Sequence, residues 1–548
     1  MKRLLVIVIV IVVLAGCRKS PVTSPGPVTI DSVLVNNIYA PNYASLSNID
    51  YSSVKIEVML NRPVDTAMFD KSRIDLAGAS AIPYIYSFSS DSRNLFIIPA
   101  NSLLPLTLYR FTVNAGTNLG GIFFNTYTST FRTRIDTTPK FPKISDDSLL
   151  TLVQSKAFSY FWDYAHPVSG LARERLGSGE TVTMGGSGFG LMAILTGINR
   201  NFITRSEGFD RIKTIVNFLS APTTDRFHGA FPHWMNGSTG KVIPFSQYDD
   251  GGDLVETSFL MEGLLTVRAY FKNGSAEEQV VCDSITSLWN GVDWNWYRQG
   301  GQNVLYWHWS PDYGFKINLT IQGWNEALIV YVLAASSPVN PIPPGVYTQG
   351  WARNGAPPMV NNKVFYNIKL PLGPDYGGPL FFEHYSFMGL DPRNLSDQYA
   401  SYHEQNVAHT MINRAYCIAN PNGFAGYGPD CWGLTASDIQ NGYTASSPTN
   451  DVGVIAPTAA ISSMPYTPDE SLSALRFFYF VLGNDLWGEF GFHDAFDLTT
   501  GWFATSYLAI DEGPIVNMIE NYRSGFLWDL FMSDQDVRNG LSGLGFTY

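Results

Sequence analysis

The stretch Asp249-Asp250-Gly251-Gly252-Asp253-Leu254-Val255-Glu256 sets four acids within eight residues and runs into an apolar segment, Thr257 to Leu265. Acids this close repel one another, so a fold keeps such a cluster at a cost unless it caps a helix, binds an ion or does chemistry. Gly251 and Gly252 argue against one helix running through all four acids. The economical reading starts a helix after the glycines, with Asp253 at the N-cap and Glu256 at N3 of a capping box. It explains two acids and leaves Asp249 and Asp250 unexplained at the same helix end.

This helix is one of a series. Ser145 precedes a periodic segment reaching Ala165. Thr204-Arg-Ser-Glu207 is a capping-box pattern opening a helix to Ser220, and Thr467-Pro-Asp-Glu470 opens another to Leu482. Further starts fall near Ser187, Ser275, Asn325, Pro379, His403, Pro457 and Pro514. Eleven or twelve helices joined by long Gly-, Pro- and aromatic-rich loops are what an all-α (α/α)6 toroid needs, with loops forming a cleft at one end. Gly185-Gly186-Ser187-Gly188-Phe189-Gly190 lacks the Lys-Ser/Thr of a phosphate loop and follows no strand, so close packing at a helix start is its expected role.

Upstream the texture is β. Val33–Val35, Val54–Leu60, Asn94–Ile98 and Tyr109–Val113 are short runs of branched and aromatic residues separated by turns, the pattern of an antiparallel sandwich. The ending Tyr109-Arg-Phe-Thr-Val to Phe131-Arg-Thr resembles bacterial Ig-like domains, and a spacer or packing role fits it better than sugar binding. At the N-terminus, Lys2 and Arg3 precede an apolar run, Leu4 to Leu14, too short to span a bilayer. Leu14-Ala15-Gly16-Cys17 resembles the lipobox of bacterial lipoproteins, which implies lipidation at Cys17 and a cell-envelope location, on the periplasmic side or the cell surface, at the outer membrane. The expected organisation is a multidomain chain: signal peptide 1–16, tether 17–27, Ig-like β-sandwich 28–135, linker 136–144 and toroid 145–548.

A chain of 548 residues exceeds one ordinary core, and with 45% hydrophobic residues disorder is excluded. The net charge of −12 without a basic patch argues against nucleic acid as a partner. Thirteen Trp, 29 Tyr and 35 Phe suit either a large core or surfaces that stack on sugar rings. Cys282, Cys417 and Cys431 show no zinc spacing. Cys417 and Cys431 could pair or remain buried thiols. No metal or cofactor is expected, and the chain is expected to be a monomer.

A second candidate acid is Glu326 in Gly323-Trp324-Asn325-Glu326, read as the first turn of an apolar helix beside the aromatic run Tyr306 to Tyr313. First-turn acids are often only dipole partners, but an apolar setting also favours a protonated acid. Other acids in unusual loops are Glu383-His384, Asp430 and Asp511-Glu512, the last also readable as capping. Carboxylate pairs with aromatic walls are what glycoside hydrolysis requires, one to protonate the leaving oxygen and one to activate water.

The segments Ala172-Arg-Glu-Arg175, Phe231-Pro-His-Trp234, Asp249 to Thr257, Gly323-Trp-Asn-Glu326 and Phe381-Phe-Glu-His384 resemble the glucoamylase-like bacterial domain of glycoside hydrolase family 144. The resemblance covers roughly residues 150–535. It implies an (α/α)6 barrel acting on β-1,2-glucan by inversion and without a metal. It also implies catalytic or substrate-binding duty for Asp249, Asp253, Glu256 and Glu326. The expected roles are Glu326 as general acid and Asp249, Asp253 or Glu256 as base or water holder. Arg173, His233, Trp309, Trp324, Glu383, His384, Asp430 and Asp511 are expected to bind a glucan substrate. A non-catalytic glycan-binding lipoprotein, a glycosidase of another linkage and a lyase remain as alternatives.

Overall fold

The computed structural model describes residues 27–116, 123 and 125–548, so the leader, Cys17 and nearly all of the tether lie outside the described residues. The chain divides into two units, Met1–Ile135 and Asp136–Tyr548.

The described residues of the first unit form nine strands: β1 (Ile30–Val35), β2 (Ile38–Tyr39), β3 (Ser45–Ile49), β4 (Ile56–Leu60), β5 (Ile74–Ala77), β6 (Tyr84–Phe88), β7 (Asn94–Pro99), β8 (Leu108–Val113) and β9 (Tyr127–Thr133). They form a five-stranded sheet, β2-β1-β4-β7-β6, and a four-stranded sheet, β3-β9-β8-β5. Alternation decides which face is buried: Ile56, Val58 and Leu60 point inward while Glu57 and Met59 do not. Val33, Ile56, Val58 and Leu95 of one sheet share a core with Leu76, Tyr109, Phe111 and Phe131 of the other. The pairing is not wholly antiparallel, because β3 runs parallel to β9. After β2 the chain leaves the first sheet and enters the second at its edge, so β3 meets β9 without a hairpin between them.

The second unit is helix-rich. Its described α-helices of six residues or more are α1 (Asp146–Trp162), α2 (Met184–Asn199), α3 (Arg205–Ser220), α4 (Leu254–Phe271), α5 (Ala276–Gly291), α6 (Leu328–Ser336), α7 (Tyr402–Ala419), α8 (Pro457–Ser462), α9 (Pro468–Arg476), α10 (Ala509–Ser524), α11 (Phe526–Met532) and α12 (Gln535–Leu544). Thr204 and Ser275 form complete capping boxes with Glu207 and Glu278. Thr467 does not: its hydroxyl lies 3.2 Å from that of Ser471, and no side-chain cap forms. The segment after Pro379 makes only two short 3-10 turns, Leu380–Glu383 and Tyr385–Phe387. The helix placed at Pro514 starts five residues earlier, at Ala509, with the proline inside it.

Every residue of α2 from Met184 to Ile198 is buried, and α2 packs against both α4 and α10. Glycine makes that contact possible. A Cβ on Gly188 would lie 2.1 Å from the Phe259 carbonyl oxygen, and one on Gly263 would lie 2.3 Å from the Gly188 carbonyl oxygen. The glycine-rich run is therefore the seat of a close helix crossing. Gly186 brings the start of α10 to the same place, since its Cβ would meet Ala509 at 2.6 Å. The N-termini of α2, α4 and α10 thus gather at one end of the unit.

Candidate active site

The acid cluster lies at this end. Asp253 caps α4: its Oδ1 accepts the N–H groups of Val255 and Glu256, both at 2.9 Å. The reciprocal half of the capping box is missing, because the Asp253 N–H donates to the Phe231 carbonyl instead. Glu256 is free to reach across to α2, where its Oε2 accepts from the Gly185 N–H at 2.7 Å and from the Thr183 hydroxyl at 3.2 Å. Asp253 Oδ2 faces His233 Nδ1 at 3.0 Å and accepts from the Trp307 indole N–H at 3.2 Å. His308 Nε2 sits between Asp249 at 3.4 Å and Asp253 at 3.6 Å. The short ladder pairing Gly252–Asp253 with His308–Trp309 holds this arrangement.

Burial separates the four carboxyls electrostatically. Desolvation opposes the charge of Asp253, but the hydrogen bond from His233 and the charges of His308 and His233 outweigh it and hold its pKa below the ordinary range. Burial likewise disfavours the imidazolium of His233, yet Glu256, Asp253 and Asp249 together raise it to about 9. Asp249 is pushed up to about 7 by its own burial and the charge of Asp253. Glu256 is raised by burial, against the pull of His233. Glu326 rises to about 7, chiefly by burial, with Glu256 and Asp253 adding to the effect. A fixed anion beside acids that keep their protons near neutrality is the division of labour that acid–base catalysis needs.

Glu326 does not lie in a first helical turn. It precedes Ala327, the N-cap of α6, and its carbonyl accepts from the Ser386 hydroxyl. Asn325 holds the turn through a 2.9 Å bond from the Ala327 N–H.

The residues assigned to substrate contact are scattered. His233 belongs to the cluster. Trp309 packs against His228 and Trp296, with ring centroids 4.7 and 6.0 Å away. The Arg173 guanidinium donates to the carbonyls of Gly179 and Tyr164 in its own neighbourhood. Trp324, Glu383 and His384 are core residues, between 0% and 2% exposed. Glu383 Oε1 accepts from the Trp324 indole at 3.2 Å and from Gln405 at 3.1 Å, and lies 2.5 Å from His409 Nδ1. His384 lies 3.0 Å from the Ser463 hydroxyl, and burial drives its pKa down to about 3. At that burial none of the three has a face left for a sugar. Asp430 is exposed and accepts from Ser473 on α9. Asp511 is 4% exposed in the first turn of α10.

Some functional candidates escaped the sequence reading. Trp307 and His308 lie inside the aromatic run already noted, and only their contacts with Asp253 single them out. Asp438 and Asp494 have no local signal at all. Tyr385 is 7% exposed, and burial raises the pKa of its hydroxyl, with the charges of Asp511, Tyr443, Glu326 and Glu256 adding to the effect. His233, Asp249 and Asp253 present ligand atoms within 4.8 Å of one another, a spacing that could hold a metal ion. The imidazolium of His233 already supplies a counter-charge inside that triangle.

Comparison with known proteins gives this geometry a family. The Glycoamylase family model, which describes a glucoamylase, matches residues 318–535. An exo β-1,2-glucooligosaccharide sophorohydrolase (non-reducing end) of Parabacteroides distasonis is 46% identical over 418 residues, covering 73% of this chain and 58% of that protein's length. The crystal structure of an endo-β-1,2-glucanase from Chitinophaga pinensis, solved with sophorotriose and glucose, is 51% identical, with a TM-score of 0.72 over 74% of this chain and 99% of that one. A β-1,2-glucanase structure from Parabacteroides distasonis is 37% identical, with a TM-score of 0.71 over 95% of this chain and 74% of that one. The chain belongs to the glucoamylase-like family of glycoside hydrolases, family 144.

Proposed function

We propose that this protein hydrolyses β-1,2-glucan or its oligosaccharides with inversion, using Glu326 as general acid. The observation that carries the reading is the fixed carboxylate cluster at the start of α4, where Asp253 is locked by His233 and Trp307 and Glu256 by Gly185, together with the fully buried Glu326, which burial raises to about 7 and whose carboxyl feels Glu256 and Asp253. Asp253 itself is not the base. Its two oxygens already face four donor groups, which fill its lone-pair positions. Its duty is to orient His233 and the start of α4. The base is Asp249 or Glu256, and Glu256 is favoured because the Gly185 N–H and the Thr183 hydroxyl anchor its Oε2 while its Oε1 accepts from no described residue, whereas Asp249 has only the 3.4 Å approach of His308. The names of the Parabacteroides and Chitinophaga relatives supply the linkage.

The same reading makes the first unit an Ig-like sandwich and the second an (α/α)6 toroid. It has Cys17 lipidated, which would tether the enzyme as a monomer to the cell envelope.

Incubation with linear glucans of defined linkage tests the proposal. Release of β-1,2-linked products from β-1,2-glucan alone, with inverted anomeric configuration by proton NMR at early times, is the expected result. Binding without product release would make the protein a glycan carrier. Products from α-linked glucans would make it a glucoamylase, and unsaturated products would make it a lyase.

A further inference from the structure

A second polar centre adjoins the acid cluster, assembled from residues far apart in the chain. Arg175 donates from Nε to both oxygens of Glu174 at 3.0 and 2.9 Å, and from Nη1 to both oxygens of Asp438 at 3.1 and 3.2 Å. The Ser506 hydroxyl donates to Asp438 Oδ2 at 2.6 Å, and the Asp438 N–H donates to Asp494 Oδ2 at 2.6 Å. Behind them Asp494 and Asp511 are each 4% exposed, and their carboxyls hydrogen-bond to each other, with Asp511 as the protonated partner.

A cavity of about 500 Å³ opens in front of this centre, lined by Arg175, Asp438, Tyr443, Trp502, Phe503 and Ser506. Two hairpins wall it, Ala436–Ile439 with Gly442–Ala445 and Phe496–Asp497 with Trp502–Phe503. Tyr443 is 45% exposed, yet its hydroxyl is desolvated against the protein, which raises its pKa, with Asp511, Asp494 and Asp438 adding to the effect. The segment 173–175 links the two centres: Arg175 pairs with Leu508, while Arg173 pairs with Val182, the neighbour of Thr183, whose hydroxyl donates to Glu256.

The chemistry of this pocket selects its occupant. Aromatic side chains offer flat faces to the apolar C–H surface of a pyranose, while carboxylates and a guanidinium accept from and donate to its hydroxyls. Arg175 is already balanced by Glu174 and Asp438, so the pocket carries no net positive charge and an acidic sugar is disfavoured. We propose that this pocket is a sugar subsite seating one neutral glucosyl unit of the substrate, its ring against Trp502 and Tyr443 and its hydroxyls on Asp438 and Arg175. The assignment rests on the glucan reading above. It makes the two hairpins the elements that fix how far a bound chain extends from the acids.

Calorimetric titration of Glu326→Gln protein with β-1,2-linked glucooligosaccharides of increasing length tests the pocket. Adding Trp502→Ala should raise Kd about tenfold for oligomers long enough to reach it and leave the shortest binder unchanged, the loss of one stacking contact. Equal Kd at every length, with and without Trp502→Ala, overturns the subsite. Tyr443→Leu, in the other hairpin, repeats the measurement independently and should give the same length dependence. If Glu326→Gln protein binds only glucans of another linkage, the glucan reading fails, and the length dependence of the Trp502 effect on those glucans still decides the pocket.

Discussion

The Gly185 N–H and the Glu256 carboxylate meet at 2.7 Å, so the first turn of α2 holds an acid carried by the first turn of α4. A helix N-terminus favours negative charge through its unpaired N–H groups and dipole. It does not lower the pKa of Glu256 outright, because burial still raises it. Its effect is to fix where Oε2 lies and to leave Oε1 open.

Gly185→Ala tests that fixation. The new Cβ would stand 2.7 Å from Glu256 Oε2 and 3.0 Å from the Phe259 ring, so the carboxylate must move. Turnover is expected to fall on the order of a hundredfold, the cost of a misplaced catalytic group. The melting temperature and glucan affinity should change little, and a variant with wild-type kcat would show that the position of Glu256 is immaterial.

The base can be identified by chemical rescue. Glu256→Ala should lose turnover by a factor of roughly 10² to 10⁴, the usual contribution of a general base. Added azide should then restore product formation as a glycosyl azide. Rescue of Asp249→Ala and not of Glu256→Ala would move the base to Asp249.

The pH–rate profile follows from Glu326. Its pKa of about 7 means that the proton needed for leaving-group departure is lost as pH rises through 7, so kcat/KM should fall on the alkaline side from there. In Glu326→Gln the residual rate should no longer show that limb. An alkaline limb unchanged in the variant would assign it to another group.

Glu383→Ala separates support from substrate contact. It removes the acceptor of Trp324, Gln405 and His409 together in a fully buried site. Breaking such a buried pair costs about 3–5 kcal/mol, so the melting temperature should drop by several degrees. A raised KM with an unchanged melting temperature would return Glu383 to the substrate subsites.

Alkaline stability is expected to depend on Asp494. Burial raises its pKa to about 7, well above the ordinary carboxylate value. The folded state therefore binds this proton more tightly than the unfolded chain. The stability it gives is complete below the unfolded value near 4 and is lost as pH rises through 7. Asp494→Asn should flatten the fall in melting temperature between pH 5 and 8, and an identical slope would exclude Asp494 as its source.

Much of the fold was legible because it rests on local chemistry. Thr204 with Glu207, the break at Gly251-Gly252 and the β-run Val54–Leu60 each have a short-range cause. The cap at Asp253 was legible too, but the destination of Glu256 was not, since that depends on α2, about seventy residues earlier. Glu383 and His384 looked like substrate-binding residues because an acid and a histidine share an unusual loop, and only the folded structure shows that their partners are Trp324, His409 and Ser463. Arg175, Asp438 and Asp494 could not be joined from the chain, since their meeting is a property of the assembled loops.

The crossing at Gly188 and Gly263 bears on how this scaffold can diversify. Backbone there touches backbone, so no side chain of any size could be introduced to spread or tilt α2 against α4. The catalytic end is thereby locked to a single spacing, like a hinge pinned shut. On the proposed subsite, changes in the length of glucan bound come from the hairpins at 436–445 and 496–503.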